Sequence, residues 1–367
     1  MEFNVELDAR EDVPQWMEYG TPVFTILAAL AVSGVALLAL GVNPIAAYEV
    51  MFLQTLTSEF GLTETVAKAV PLIFAGLAVY IPLKAQLWNI GAEGQLFIGA
   101  IAGTWIGLNV SLPMVALLPL MFIGAGIAGA LWVAIPAVLR AKWGINEIIT
   151  TLLFTFIAAD LKNYVVRGPM QTPGTNFPQT AQLPVAARLP EIPGLGFPAG
   201  ILLAIVVVAL TYVLVNHTRL GFEITFIGAN DRAAEQAGMS KYKIYLFVLM
   251  AGGAFAGFAG ISEISGVQSR LRAFFAPGYG FTAIPIALLG RNGAFQVMLA
   301  ALFFAVIFVG GSSIETLLSV PAAIVDIIQA LIILFLLTAE FFKQYSVDLS
   351  LNREQDSRGV TQPEGEI

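Results

Sequence analysis

The chain has 367 residues, of which 57% are hydrophobic and 12% charged, about half the ~25% charge of a soluble domain. That composition excludes a water-soluble globular enzyme, whose exterior must still face water, and makes lipid the solvent for most of this surface. A formal net charge of −7 offers no basic stripe for nucleic acid, and the absence of cysteine excludes disulfides, thiolate metal sites and cysteine nucleophiles.

The charge deficit belongs to the ends. Residues 1–20 carry six acids and one arginine, and residues 340–367 six acids and three bases. We therefore read 1–20 as an acidic cytoplasmic tail, 21–342 as the membrane domain and 343–367 as a polar cytoplasmic tail. The N-terminal stretch is acidic where a secretory signal needs a basic segment.

Helices are expected near 22–42, 66–83, 94–110, 113–139, 147–166, 198–217, 244–266, 281–291, 294–312 and 320–341, most of them long enough to cross a hydrocarbon core of ~30 Å. The fold class is thus an all-α, polytopic, multi-pass membrane protein with about ten transmembrane helices. The run at 281–291 is too short for one straight crossing and reads as a short or broken helix. Segment 45–60 reads as an interfacial helix. Glycines recur inside the spans, among them Gly124, Gly129, Gly253, Gly257 and Gly260, and at such spacing small residues let helix backbones touch in lipid. With the N-terminus cytoplasmic, twelve Lys/Arg fall inside and six outside, which favours both ends in the cytoplasm.

Two polar connections are long. The extracytoplasmic one, 167–197, is proline-rich, hence extended, and reads as a docking or capping surface. The cytosolic one, 218–243, has Asn230 as a helix N-cap, Asp231 at the positive end and Gly238 as a left-handed stop. A two-turn helix closed at both ends suits docking to a soluble motor.

Polar residues also fall where lipid is expected. Asn89, Glu93 and Gln95 surround a break made by Pro82, Gly91 and Gly94, and such a break is tolerated only inside protein or beside a water-filled path. They read as a gate or pathway element, or as an interfacial turn with capping side chains. Asn146 and Glu147 read as a cap and a dipole partner for the helix they begin. Asp160, Lys162 and Asn163 lie near that helix's outer end, where snorkelling accounts for them. Glu263 and Asp326 lie within or near spans. No Walker-type loop, zinc spacing or serine–histidine arrangement is present, so a transporter of this sequence is driven by a partner or by an ion gradient.

The segments Asn89-Ile90-Gly91-Ala92-Glu93-Gly94-Gln95, Asn146-Glu147-Ile148-Ile149-Thr150-Thr151 and Asn163 to Pro169 resemble the permeases of nucleoside and simple-sugar ABC importers. So do Gly228-Ala229-Asn230 with Ala233, Ala234 and Gly238, and the segment Gly280 to Gly290. The wider group includes ribose and branched-chain amino-acid permeases, and the match runs over 45–342. Arg291 departs from the pattern, where a small residue is expected. The resemblance implies a subunit of a prokaryotic cell-membrane importer, without enzymatic activity of its own. Its implied partners are a second related permease (a heterodimer before a homodimer), ABC ATPase subunits and an extracytoplasmic substrate-binding lipoprotein. ATP-Mg would sit on the ATPases and no cofactor on this chain. Gly228, Ala229, Asn230, Asp231, Arg232, Ala233, Ala234 and Gly238 would form the ATPase coupling element. Asn89, Glu93, Gln95, Asn146, Glu147 and Asn163 would line or gate the path. The implied cargo is a nucleoside, with a simple sugar next. The rival readings are an ion-coupled carrier using Glu93, Glu263 and Asp326, and a membrane scaffold.

Overall fold

The structure, a computed structural model, describes residues 2–9, 15–194, 196–275 and 278–352. Helix α1 (Gln15–Ala39) is followed by α2 (Pro44–Tyr48), a π-helical turn over Glu49–Gln54 and α3 (Thr55–Thr57), where an interfacial helix is expected. Asn43 starts this run by accepting the Ile45 N–H at 2.9 Å, and Pro44 supplies the preset φ of a first helical residue. Then come α4 (Glu59–Lys84), α5 (Ala92–Asn109), α6 (Met114–Trp143), α7 (Glu147–Arg167) and α8 (Gly200–His217). The next connection folds into α9 (Arg219–Ala229) and α10 (Asp231–Gln236). Helix α11 (Lys241–Glu263), extended by a π turn over Ile264–Gln268, leads to α12 (Tyr279–Leu289), α13 (Ala294–Leu318) and α14 (Ala322–Gln344).

Among the described residues, seven helices are long and apolar enough to cross a membrane: α4, α6, α7, α8, α11, α13 and α14. Helices α1, α5 and α12 occupy the other three expected positions. Gly144, at φ +68°, ends α6 in the left-handed region that side chains with a Cβ avoid.

The two ends of the described chain pair with each other. Strand β1 (Glu2–Ala9) pairs antiparallel with β2 (Tyr345–Asn352), from Glu2 opposite Asn352 to Ala9 opposite Tyr345. Both segments alternate apolar and polar residues. The register sets Phe3 opposite Leu351, Val5 opposite Leu349 and Leu7 opposite Val347, so the period-2 patterns match. The remainder of the expected C-terminal tail, 353–367, lies outside the described residues.

Helix α4 is the axle of the bundle, with 78% of its apolar window buried against 22% for α7. Helix α11 crosses α4, α5 and α6 at backbone contact. A Cβ on Gly257 would lie 2.2 Å from the Ala125 carbonyl oxygen, and one on Gly260 only 2.1 Å from that of Leu96. The glycines therefore serve packing, as their spacing predicts. Exposed Ile123, Ile127 and Leu131 on α6, and Ile149, Leu153 and Phe156 on α7, give the lipid its surface.

The proline-rich connection is extended and held. Its Thr180 and Leu183 N–H groups donate to the carbonyls of Leu271 and Ser269 (both 2.9 Å), its Leu189 N–H donates to Ser265, and Pro178 accepts from Ala273. It thereby lies along the chain that leaves α11.

Candidate functional site

At the break after α4 the local chemistry starts from a proline. Pro82 has no N–H, so the Ala78 carbonyl four residues earlier loses its helical donor. Asn89 supplies one: its Nδ2 donates to that oxygen at 3.1 Å. The segment after Lys84 must therefore fold back along α4, with Gln86 at φ +56° making the turn. Asn89 and Gln95 then exchange reciprocal amide hydrogen bonds of 2.8 and 2.7 Å, and both are buried to 1% exposure or less. These two side chains are committed to each other and to the α4 carbonyl.

Glu93 turns the other way. Buried to 2% exposure, it accepts the Gly278 N–H on one carboxylate oxygen at 3.0 Å and the Gly280 N–H on the other at 2.6 Å. A carboxylate from α5 thus caps the N-terminus of α12 across 185 residues of sequence. The approach needs glycine, since a Cβ on Gly280 would lie 2.1 Å from the Glu93 nitrogen. This cap fixes where α12 begins. Lys162, expected to snorkel, is instead 3% exposed; it donates to the Phe275 carbonyl and lies 4.4 Å from the Phe97 ring centroid. Asn163 beside it in sequence is half-buried on α7.

Glu147 holds the break from below. Its Oε1 accepts the Trp88 N–H at 3.3 Å, and its Oε2 pairs with Arg140 at 3.1 Å. Asn146, exposed, caps α7 by accepting the Ile148 N–H at 2.9 Å. Of the six expected pathway residues, the structure gathers Asn89, Glu93, Gln95 and Glu147 around the break. Asn146 and Asn163 stand apart from it.

The region 219–238 carries one more helix than the sequence reading contains. Thr218 caps α9 through the Gly221 N–H at 3.1 Å, and Gly228 sets α9 against the end of α4, where a Cβ would meet the Lys84 carbonyl oxygen at 2.2 Å. Asn230 caps α10 through the Ala233 N–H at 3.0 Å. The stop is a Schellman pair: Met239 N–H donates to Ala234 and Gly238 N–H to Glu235, with Gly238 at φ +81°. Asp231 pairs with Lys241 on α11, and that hydrogen bond holds its carboxyl below the usual carboxylate range. Ala234 is buried against the bundle and Ala233 half-buried, while Arg232, Glu235 and Gln236 face outward.

At the opposite end of α4 lies a cavity of about 1190 Å³, between α3, the first turns of α4, the end of α11, the start of α12 and the last turns of α13. Lys68 and Glu263 form an ion pair of 3.1 Å in its wall, and the Lys68 ammonium lies 5.7 Å from the Tyr279 ring centroid. Sequence reasoning weighed Glu263 alone. The others carry a local signal only in Glu64 and Lys68, which are four apart on one helix face.

Comparison with known proteins decides what such a bundle is. Residues 61–337 match the family model described as the permease component of the branched-chain amino-acid transport system. The chain belongs to this permease family. The glucose ABC transporter permease protein TsgB13 of Haloferax volcanii is 62% identical over 364 residues, which cover 96% of each chain. The guanosine ABC transporter permease protein NupP of Bacillus subtilis is 32% identical, over 86% of this chain and 91% of its own. A second Haloferax volcanii protein, the putative glucose ABC transporter permease protein TsgC13, is 26% identical over 66% and 74%. The chain is thus an ABC-importer permease, a membrane transport subunit and not an enzyme, and its relatives include two different permeases from one organism.

Proposed function

We propose that this permease forms one half of the membrane path of a simple-sugar importer in a prokaryotic cell membrane, with a nucleoside as the second candidate cargo. The observation that carries the reading is α10, closed at both ends and seated through Gly228 of α9 on the end of α4. Separate ATPase subunits would dock on its outward residues Arg232, Glu235 and Gln236. Their closure would move α10 and α9 together against α4 and the break that Asn89, Gln95 and Glu147 brace. Glu93 would carry that movement to α12, and the bundle would rock between inward- and outward-open states.

A second, related permease would complete the path, and an extracytoplasmic lipoprotein would deliver cargo to the end covered by the proline-rich segment. Ten crossings with both ends cytoplasmic agree with the pairing of β1 and β2, which requires both ends on one side. Sugar stands before nucleoside because the 62% relative is named for glucose and the 32% relative for guanosine. This reverses the order that the motifs alone favour.

Proteoliposomes containing both permeases, the ATPases and the lipoprotein test the cargo. ATP-dependent uptake of labelled D-glucose is expected to exceed that of guanosine at least tenfold. Uptake of guanosine without glucose would overturn the sugar assignment.

A further inference from the structure

We infer that Lys162 is a positioning residue of the transport cycle: with Glu93 it forms a buried two-charge clamp on the chain that enters α12. The inference rests on the importer reading and deepens it, because that reading gives Lys162 no part. The segment between α11 and α12 is tied to the proline-rich connection at Leu271 and Ala273. From there it runs into the bundle, where Phe275 and Tyr279 are 7% and 3% exposed. Lys162, from α7, donates to the Phe275 carbonyl oxygen, and Glu93, from α5, accepts the Gly278 and Gly280 N–H groups. Gly278 makes the turn into α12 at φ +71°, in the region that favours glycine.

The polarity matches at each end of this stretch. A cation meets the carbonyl and an anion meets the N–H groups, so both charges stabilise one placement of the segment. Phe97, one turn after Glu93 on α5, adds apolar contact: the Lys162 ammonium lies 4.4 Å from its ring centroid, and the Phe275 ring packs edge-on against it at 6.1 Å. Lys162 and Glu93 are 3% and 2% exposed, and each is a charge that acts on the other. Their hydrogen bonds go to backbone groups of the segment, so α7 and α5 are joined through the stretch they both hold. A buried charge that loses its counter-charge is costly, whereas replacing both members of a pair by neutral groups is often tolerated. Lys162 thereby extends to α7 the linkage by which Glu93 joins the break to α12.

The test measures solute taken up per ATP hydrolysed by the reconstituted complex, a ratio that a mere loss of folded complex leaves unchanged. The solute is labelled D-glucose, or guanosine where the wild-type complex carries that instead. Lys162→Met and Glu93→Gln each leave one buried charge without its partner and are each expected to lower the ratio at least about tenfold. The double variant leaves no buried charge unpaired and is expected to exceed both single variants. A double variant at or below either single one, or single variants with an unchanged ratio, would overturn the clamp. Should a single variant fail to assemble, a double variant that assembles supports the pair and one that fails in the same way overturns it. A wild-type complex that imports neither solute would instead overturn the importer reading on which the clamp rests.

Discussion

Glu93→Ala is expected to destabilise the permease by about 1–4 kcal/mol, because one buried N–H group loses its acceptor at about 1–3 kcal/mol and one part-buried group at less. The groups are those of Gly278 and Gly280, at 3.0 and 2.6 Å from the two carboxylate oxygens. Glu93→Gln keeps one acceptor oxygen and is expected to lose about half as much. Gly280→Ala is expected to resemble the alanine variant, since its Cβ would lie 2.1 Å from the Glu93 nitrogen. Thermal unfolding of the purified protein in detergent measures all three. A Glu93→Ala variant as stable as wild type would show that the carboxylate does not hold α12 in place.

The second large effect concerns coupling. Gly228→Leu would set a Cβ 2.2 Å from the Lys84 carbonyl oxygen and force α9 off the end of α4. ATP hydrolysis by the assembled complex is expected to continue while uptake per ATP falls about 5–150-fold, the span of ordinary coupling free energies. Tight coupling retained in this variant would remove α9 from the path of force. Substitutions at Ala234 answer a different question, because that side chain is buried in its own bundle. Arg232 and Gln236 are the positions that probe the docked partner.

Much of this is legible in the sequence, and the exceptions have physical reasons. The capped helix was legible because Asn230, Asp231 and Gly238 act within one turn of themselves. Helix α9 was not, since eleven residues fall short of a span and its cap, Thr218, follows an apolar helix without a break. The break was legible as polar residues among prolines and glycines. Its internal pairing followed from Pro82 depriving Ala78 of a donor, a signal present in the sequence but silent about which side chain answers it.

Lys68 and Glu263 lie 195 positions apart and meet only through the crossing of α4 and α11, so nothing local announces them. Lys162 was misplaced at the headgroups because a long cation near a helix end usually reaches water. Here the Phe275 carbonyl and the Phe97 ring receive it inside. The alternation in Glu2–Ala9 and Tyr345–Asn352 was in plain view, but a strand needs its partner, and the partner is at the other end of the chain.

The permease is proposed to be a half-path that takes its energy from separate ATPase subunits. Proteoliposomes prepared with and without the ATPase subunits test it directly, with labelled D-glucose outside and ATP, a proton gradient or a sodium gradient supplied in turn. Uptake is expected only when the ATPases and ATP are both present, with neither gradient able to replace them. Gradient-driven uptake by this chain in the absence of ATPases would contradict the account and identify an ion-coupled carrier.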